Sequence, residues 1–240
     1  MNSLVSTLRL GWQALLFKED AYEEMRRSAN PVARGLILIL VVGVVIALLG
    51  LVGTALELAS TPDLGQIRDI IREYIPKMPF WSALEQGGPQ ALQAFEEWYN
   101  RGWEFFPQMF SASMGSAALG ILTTPLFLIL RWLIFGLLAH LFARWLGGKA
   151  NLGETLGVTA LAVAPQAINV LSLLPYVEVG SVVSIWGILC AYLGLKTAHK
   201  LSWGRAMWAT LLPFILFAVG VFLLSCFSSI VIAAVIGGQS

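Results

Sequence analysis

Residues 35–56 read GLILILVVGVVIALLGLVGTAL, without one charged side chain. At a rise of about 1.5 Å per residue, a helix of this length is long enough to cross the roughly 30 Å hydrocarbon core of a bilayer. The whole chain shares this character, because 58% of its 240 residues are hydrophobic and only 12% are charged. This composition is typical of membrane proteins. The sequence therefore predicts an all-α membrane protein whose first transmembrane helix is 35–56.

Four further apolar stretches complete a five-helix membrane protein. They lie at about 122–143, 155–174, 180–195 and 206–236, within a four-helix remainder that covers residues 111–240. The second stretch has two possible placements, because its apolar pattern continues on both sides of Arg131. An early crossing puts Arg131 at the inner end of the helix, and a late crossing puts it deep in the membrane. The late crossing is favoured because it leaves Arg144 and Lys149 at the surface.

Basic residues alternate with basic-poor segments, and this alternation predicts the orientation. The basic runs are Arg9, Lys18, Arg26, Arg27 and Arg34, then Arg131, Arg144 and Lys149, then Lys196, Lys200 and Arg205. Residues 57–110 instead carry four basic against eight acidic residues, and Glu178 is the only charge between the third and fourth stretches. Since basic residues near membrane-spanning ends stay cytoplasmic, the amino terminus is predicted inside and the carboxyl terminus outside.

Residues 1–34 are predicted to form a cytoplasmic amphipathic segment. At helical spacing, one side carries the apolar residues Leu4, Leu8, Trp12 and Leu15. Such a face lies either in the headgroup plane or against the protein's own bundle, and the sequence leaves both open. Asp20 and Glu23 have the spacing of a capping box, which predicts a helix start there.

Residues 57–110 form the predicted extracytoplasmic insert, with two short amphipathic helices. The first begins at Thr61 and Pro62, and its apolar face consists of Leu64, Ile67, Ile71 and Tyr74. The second runs from Gly88 to Gly102. Because two short helices bury little surface alone, we expect a cap on the bundle or membrane; the alternative is a docking face for a partner.

Three of the spans are predicted to kink at a proline, because proline removes a backbone N–H donor and crowds the preceding turn. These prolines are Pro125, Pro165 and Pro213. Such kinks either line a cavity, as in many transporters, or pack in an inert bundle, which we favour. Beside Pro165, Gln166 and Asn169 lie one helical turn apart. We expect them to bond a neighbouring helix; the alternative is a substrate.

Arg131 is the ionisable candidate within a span. None of the predicted spans contains an acidic residue, so the guanidinium must snorkel, bond to carbonyls, or meet a lipid headgroup or a partner subunit. For the same reason a proton relay or a cation site has no obvious carboxylate. Snorkelling or carbonyl bonding is favoured.

Several classes of function lack their usual residues. A net charge of +1 argues against nucleic-acid binding. Cys190 and Cys226 lie in apolar stretches, where packing is the ordinary role, and His140 and His199 make no recognisable ligand set. The chain contains neither a phosphate-binding glycine loop nor a His-Glu-x-x-His motif. We therefore expect no catalytic residue, no metal, no cofactor and no enzymatic activity.

Four short stretches carry a family resemblance. They are LFKEDAYEEM at 16–25, LGGKANLGET at 146–155 with AVAP at 162–165, and GLKTAHKLSWGRA at 194–206. Together they resemble the Yip domain family, five-helix membrane proteins named for interaction with Ypt/Rab GTPases, and most closely its short prokaryotic branch. The resemblance covers the chain except for the insert.

The resemblance implies a membrane protein with a cytosolic amino terminus that acts through protein or lipid contacts, in a prokaryotic inner membrane. In eukaryotic members it implies GTPase binding. That partner is not carried over here, because this sequence lacks the long cytosolic amino-terminal region of those members and their Asp-Leu-Tyr-Gly-Pro and Gly-Tyr motifs.

These observations predict a non-catalytic scaffold, membrane-organising factor or accessory subunit. Its partners would be membrane lipids and a membrane protein or further copies of itself. The predicted contact residues are Lys149, Lys196, Lys200, Arg205 and Arg131. The alternative is a small transporter or channel subunit whose site lies among the proline-kinked helices, near Gln166 and Asn169.

Overall fold

The chain is almost entirely helical in the residues that the structure, a computed structural model, describes: 3–60, 64–110, 114–173 and 179–237. No strand occurs in these ranges, which confirms the predicted all-α class. The α-helices are α1 (Ser3–Leu15), α2 (Glu19–Arg26), α3 (Pro31–Ser60), α4 (Leu64–Tyr74), α5 (Trp81–Gln86), α6 (Gly88–Phe110), α7 (Met114–Trp145), α8 (Leu152–Ala160), α9 (Gly180–His199) and α10 (Trp203–Gly237). Two 3-10 helices cover Ile75–Lys77 and Leu161–Leu173. Thr61, Pro62 and Glu178 lie outside the described residues.

Five helical segments among the described residues are long and apolar enough to cross a membrane, as predicted. They are Pro31–Leu56, Ala117–Trp145, Leu152–Leu171, Gly180–His199 and Trp203–Ser228. The side of the membrane that each terminus faces stays a prediction from the charge pattern.

The second span is longer than the apolar pattern alone suggested. Helix α7 starts at Met114 and runs through Pro125 and Arg131 without interruption. Residues 114–121 include two glycines and a serine, so they add less hydropathy than the stretch that follows, although the helix covers them. Arg131 therefore lies near the middle of the span.

The third span begins as an α-helix and continues as a 3-10 helix. The Asn151 side chain accepts a hydrogen bond from the Glu154 N–H at 2.8 Å, and the Glu154 carboxylate accepts one from the Asn151 N–H at 2.8 Å. This capping box starts α8 at Leu152. The change to 3-10 geometry comes at Leu161, whose carbonyl would be the α-helical acceptor for residue 165, and Pro165 has no N–H to donate.

The third span is the centre of the helical bundle. Of its apolar stretch 56% is buried, against at most 33% in each of the other four. A methyl group added to Gly136 of α7 would lie 2.6 Å from Leu156 of α8. One added to Gly194 of α9 would lie 3.1 Å from the carbonyl oxygen of Val158. Close backbone approach thus packs this span between its neighbours.

Helix α1 presents two apolar faces. Thr7, Leu10 and Ala14 are fully buried in the bundle. The face predicted from the sequence lies on the other side, where Leu4 and Trp12 are exposed, Trp12 by 64%. That exposed face favours contact with the membrane interface over packing within the bundle.

The connection between α1 and α2 differs from the predicted capping box. Helix α1 ends in a Schellman motif, in which the Lys18 N–H donates to the Gln13 carbonyl at 3.0 Å and Phe17 has a left-handed φ of 57°. Helix α2 begins at Glu19, and its N-cap residue makes no side-chain cap. The predicted capping box at Asp20 and Glu23 is therefore wrong, because the Glu23 carboxylate bonds cationic side chains instead.

Residues 50–120 form a separate compact unit, in which α4 and α6 pack on each other. Arg68 donates to the Asn100 side chain at 2.7 Å, and the Tyr99 hydroxyl donates to the Arg68 carbonyl at 2.9 Å. Helix α6 continues to Phe110, beyond the predicted end at Gly102. A cap or docking role for this unit stays a prediction.

Candidate functional site

The loop that holds Lys149 and the loop that holds Lys200 and Arg205, all predicted contact residues, meet in the structure. The Lys149 N–H donates to the His199 carbonyl at 3.3 Å. The Arg205 guanidinium lies beside Gly147, whose φ of 91° ends α7 with a left-handed turn that favours glycine. We call residues 145–151 and 199–205 the loop surface.

Helix α2 lies along the edge of the loop surface and is held there by charge. Three ion pairs make the contact: Lys196–Glu19 at 3.4 Å, Lys200–Glu23 at 3.4 Å and Arg26–Glu154 at 3.2 Å. The first two join α2 to the end of α9, and the third joins it to the start of α8. The amino-terminal segment is thereby tied to two of the spans.

Glu23 is the centre of this charge network. Its carboxylate lies 2.6 Å from the Arg26 guanidinium and 2.7 Å from that of Arg27, in addition to its pair with Lys200. The hydrogen bond from Arg26, more than any other contact, lowers the pKa of Glu23 from 4.5 to about 2. The same pair raises the pKa of Arg26. Glu23 is therefore ionised throughout the physiological range of pH.

This arrangement divides the predicted contact residues into two groups. Lys196 and Lys200 are paired with acids of α2. Lys149 and Arg205 are exposed, and no acidic side chain among the described residues pairs with either. Lys149 and Arg205 are therefore the predicted contact residues of the loop surface that have no acidic partner among the described residues.

Exposed tryptophans lie within a few residues of these cations along the chain. Trp145 is 84% exposed and Trp203 is 68% exposed, and Trp208 is exposed as well. Arg144 donates a hydrogen bond from Nη1 to the Gly148 carbonyl at 3.2 Å. Exposed tryptophans beside cations at helix ends are typical of the membrane–water interface.

Beneath the loop surface, one threonine joins the two histidines. The Thr155 hydroxyl lies 2.8 Å from Nδ1 of His140 and 2.8 Å from Nε2 of His199, and it donates to the Asn151 carbonyl at 2.9 Å. Because a hydroxyl has one hydrogen and two lone pairs, both rings must donate to it. The arrangement links α7, α8 and α9. No cluster of three or more potential metal ligands occurs in the described ranges.

The intramembrane candidates lie elsewhere. Arg131 and Gln166 line one cavity between the spans, and Asn169 Nδ2 donates to Gln166 Oε1 at 2.7 Å within the same 3-10 helix. The sequence predicted that Gln166 and Asn169 bond a neighbouring helix. The hydrogen bond between them joins two residues of one helix, so it is not a bond of that kind.

The three prolines are buried and do not line that cavity. Pro125 packs closely on α3, since a methyl group at Gly43 would lie 2.9 Å from its Cα. These placements fit the packing interpretation of the proline kinks.

The five apolar spans define a polytopic α-helical membrane protein, and the exposed tryptophans beside cations at helix ends are consistent with this class. The chain belongs to the Yip1 domain family, whose family model matches residues 12–224. This match confirms the resemblance seen in the sequence and includes the insert. Neither the curated proteins nor the solved structures contain a significant match.

Several residues of the site escaped the sequence analysis. The capping box of Asn151 and Glu154 had a readable signal, an Asn followed three residues later by Glu before an apolar run. The pairing of Glu19 and Glu23 with lysines of α9 had no local signal, because about 177 positions separate the partners. Thr155 also had none, since its role depends on two histidines from other helices.

Proposed function

We propose that this Yip1-domain protein is a non-catalytic scaffold or accessory subunit that recruits a membrane-protein partner through its loop surface. The observation that carries the proposal is the pair of exposed cations, Lys149 and Arg205, on loops that α2 holds in place. A basic surface with exposed tryptophans near its cations suits an acidic segment of a partner, with anionic headgroups beside it.

The acidic side chains at the edge of the loop surface are held in ion pairs, which supports a structural role for them. Glu23 and Glu154 are held in ion pairs. The Thr155 hydroxyl has all three of its hydrogen-bonding positions filled. These groups stabilise the surface and are not left available for acid–base chemistry. The basic loops would face the cytoplasm, following the positive-inside rule.

The experiment compares what co-purifies with three forms of the full chain. Wild type, Lys149→Glu/Arg205→Glu and the control Arg101→Glu would be solubilised from the native membrane in mild detergent. The control reverses an exposed cation of α6, which belongs to the other compact unit. We expect a partner at constant stoichiometry with wild type and control, and at least about tenfold less with the double variant. Equal recovery with all three forms would refute the role of the loop surface.

The cavity beside Gln166 favours one alternative, a small transporter or channel subunit. This alternative requires water at that depth. In a chain with Cys190→Ala and Cys226→Ser, a cysteine at position 166 would then react with a charged aqueous thiol reagent. Protection of that position under every condition would count against transport.

A further inference from the structure

A cavity of about 230 Å³ lies between the membrane-spanning helices. Side chains of α3, α7, α9, α10 and the third span line it, and most of the lining is apolar. The lining includes two aromatic rings, Phe135 and Phe214, whose centroids are 5.3 Å apart. The polar groups in this lining decide what the cavity can hold.

Three of those polar side chains already have partners in the bundle. Trp132 Nε1 donates to the Leu156 carbonyl at 2.9 Å. The Thr159 hydroxyl donates to the Thr155 carbonyl at 2.9 Å, and the Ser184 hydroxyl donates to the Gly180 carbonyl at 2.8 Å. Their hydrogens are therefore not available to a ligand.

Two side chains of the lining, Arg131 and Gln166, carry N–H groups that have no such partner. No ion pair or hydrogen bond joins Arg131 to another described residue, and Gln166 uses its Oε1 while leaving its NH₂ unbonded within the described ranges. The remaining donors are thus a guanidinium and an amide. A ligand that satisfies both needs several acceptor oxygens and a negative charge.

The position of Arg131 within an apolar span makes an unpaired guanidinium costly. Arg131 is fourteen residues from both Ala117 and Trp145, the ends of its span. This distance corresponds to about 21 Å of helix on either side, so Arg131 lies well inside the apolar span and not at one of its ends. A guanidinium at such a depth is expensive unless an anion or a group of carbonyls meets it.

The surroundings of Arg131 indicate that the anion comes from the bilayer. Phe127 and Ile134, each about one helical turn away on α7, are 65% and 50% exposed. In a membrane-spanning helix these side chains face hydrocarbon. A ligand that reaches Arg131 across this surface must bring an apolar chain with it.

We propose that this cavity binds one anionic phospholipid, with the headgroup phosphate on Arg131 and Gln166 and an acyl chain along the exposed face of α7. The phosphate oxygens accept from the guanidinium in bidentate geometry. The acyl chain covers Phe127 and Ile134. This site is separate from the loop surface and does not depend on the proposed partner.

The first test measures thermal stability of the detergent-solubilised full chain with three probes. They are a phosphatidylglycerol, a diacylglycerol with the same acyl chains, and inorganic phosphate. We expect saturable stabilisation by phosphatidylglycerol alone. Equal stabilisation by diacylglycerol would show a chain-only groove, and equal stabilisation by inorganic phosphate would show a free-anion site; each would overturn the proposal.

The second test uses variants and a direct count of bound lipid by native mass spectrometry. We expect one retained anionic phospholipid per wild-type chain, about 10- to 100-fold weaker apparent affinity in Arg131→Gln, and a smaller loss in Gln166→Leu. Arg131→Lys should recover part of the affinity. Arg101→Gln is the matched control for loss of one positive charge. Equal retention by Arg131→Gln and wild type would refute the site, and the probe titration of wild type decides the matter if Arg131→Gln fails to fold.

Discussion

At the residue scale, Glu23 concentrates three cations on one carboxylate, and its removal should destabilise the fold. Replacing Glu23 with Gln removes the acidic partner of Arg27 and Lys200 and leaves Arg26 paired with Glu154 alone. We expect the free energy of unfolding to fall by about 1–2 kcal/mol, more than for an exposed pair, because the network is partly buried. Glu24→Gln is the control, since Glu24 pairs with Arg9 where both are exposed. Thermal unfolding in detergent would measure both, and equal effects would contradict the prediction.

The lowered pKa of Glu23 also predicts a dependence on pH. The folded state favours the ionised carboxylate, so the stabilisation is fully present above the ordinary pKa of 4.5 and is lost as pH falls toward about 2. Wild type should therefore lose stability across this window more steeply than Glu23→Gln. Parallel curves for the two proteins between pH 5 and about 2 would show that Glu23 does not carry this dependence.

Thr155 joins two histidines from other helices, so loss of its hydroxyl should cost more than loss of an ordinary buried one. Thr155→Val keeps the shape but leaves N–H groups of His140 and His199 without an acceptor. We expect a loss of about 2–3 kcal/mol in the free energy of unfolding. Thr210→Val is the control, because that buried hydroxyl donates only to the Ala206 carbonyl of its own helix. If the two substitutions cost the same, the histidine bridge contributes nothing.

At the scale of elements, helix α3 carries two glycines that should respond oppositely to the same substitution. A methyl group at Gly35 would lie 2.7 Å from Ala160 Cβ, so Gly35→Ala must push α3 away from the third span. We expect a loss of about 1–3 kcal/mol. A methyl group at Gly50 meets nothing within 4 Å, and Gly50→Ala should stabilise the helix by about 0.5–1 kcal/mol. Chemical denaturation in mixed micelles would measure both. Stabilisation by Gly35→Ala would contradict the close approach.

The elements also show what a sequence can specify. Apolar length is a local property, so the five spans could be predicted, and so could the amphipathic α1. The change to 3-10 geometry at Leu161 followed from Pro165 but was not predicted, because kinking was the expected outcome of proline. The face of α1 that packs on the bundle was also missed. Both faces are apolar, and only the neighbouring helices decide which one is buried.

At the scale of the whole molecule, the candidate site depended on contacts that no local pattern encodes. The sequence named Lys149, Lys196, Lys200 and Arg205 as contact residues, but it did not show that their two loops meet. It also gave no sign that Lys196 and Lys200 pair with acidic residues of α2. Mixed charge in residues 19–27 is typical of a solvated helix face. The partners of these charges are distant in the sequence, so only the folded bundle shows them.

The orientation of the whole molecule is the last prediction, and it follows from charge. Basic residues cluster on the loop surface, whereas residues 57–110 hold four basic against eight acidic residues. Positive charge is retained on the cytoplasmic side, so position 101 should lie outside and position 149 inside. The test introduces Arg101→Cys or Lys149→Cys in a chain with Cys190→Ala and Cys226→Ser and labels intact cells with a membrane-impermeant maleimide. Position 101 should react in intact cells, and position 149 only after permeabilisation. The reverse pattern would invert the topology and place the loop surface outside, where a cytoplasmic segment of the proposed membrane-protein partner could not reach it.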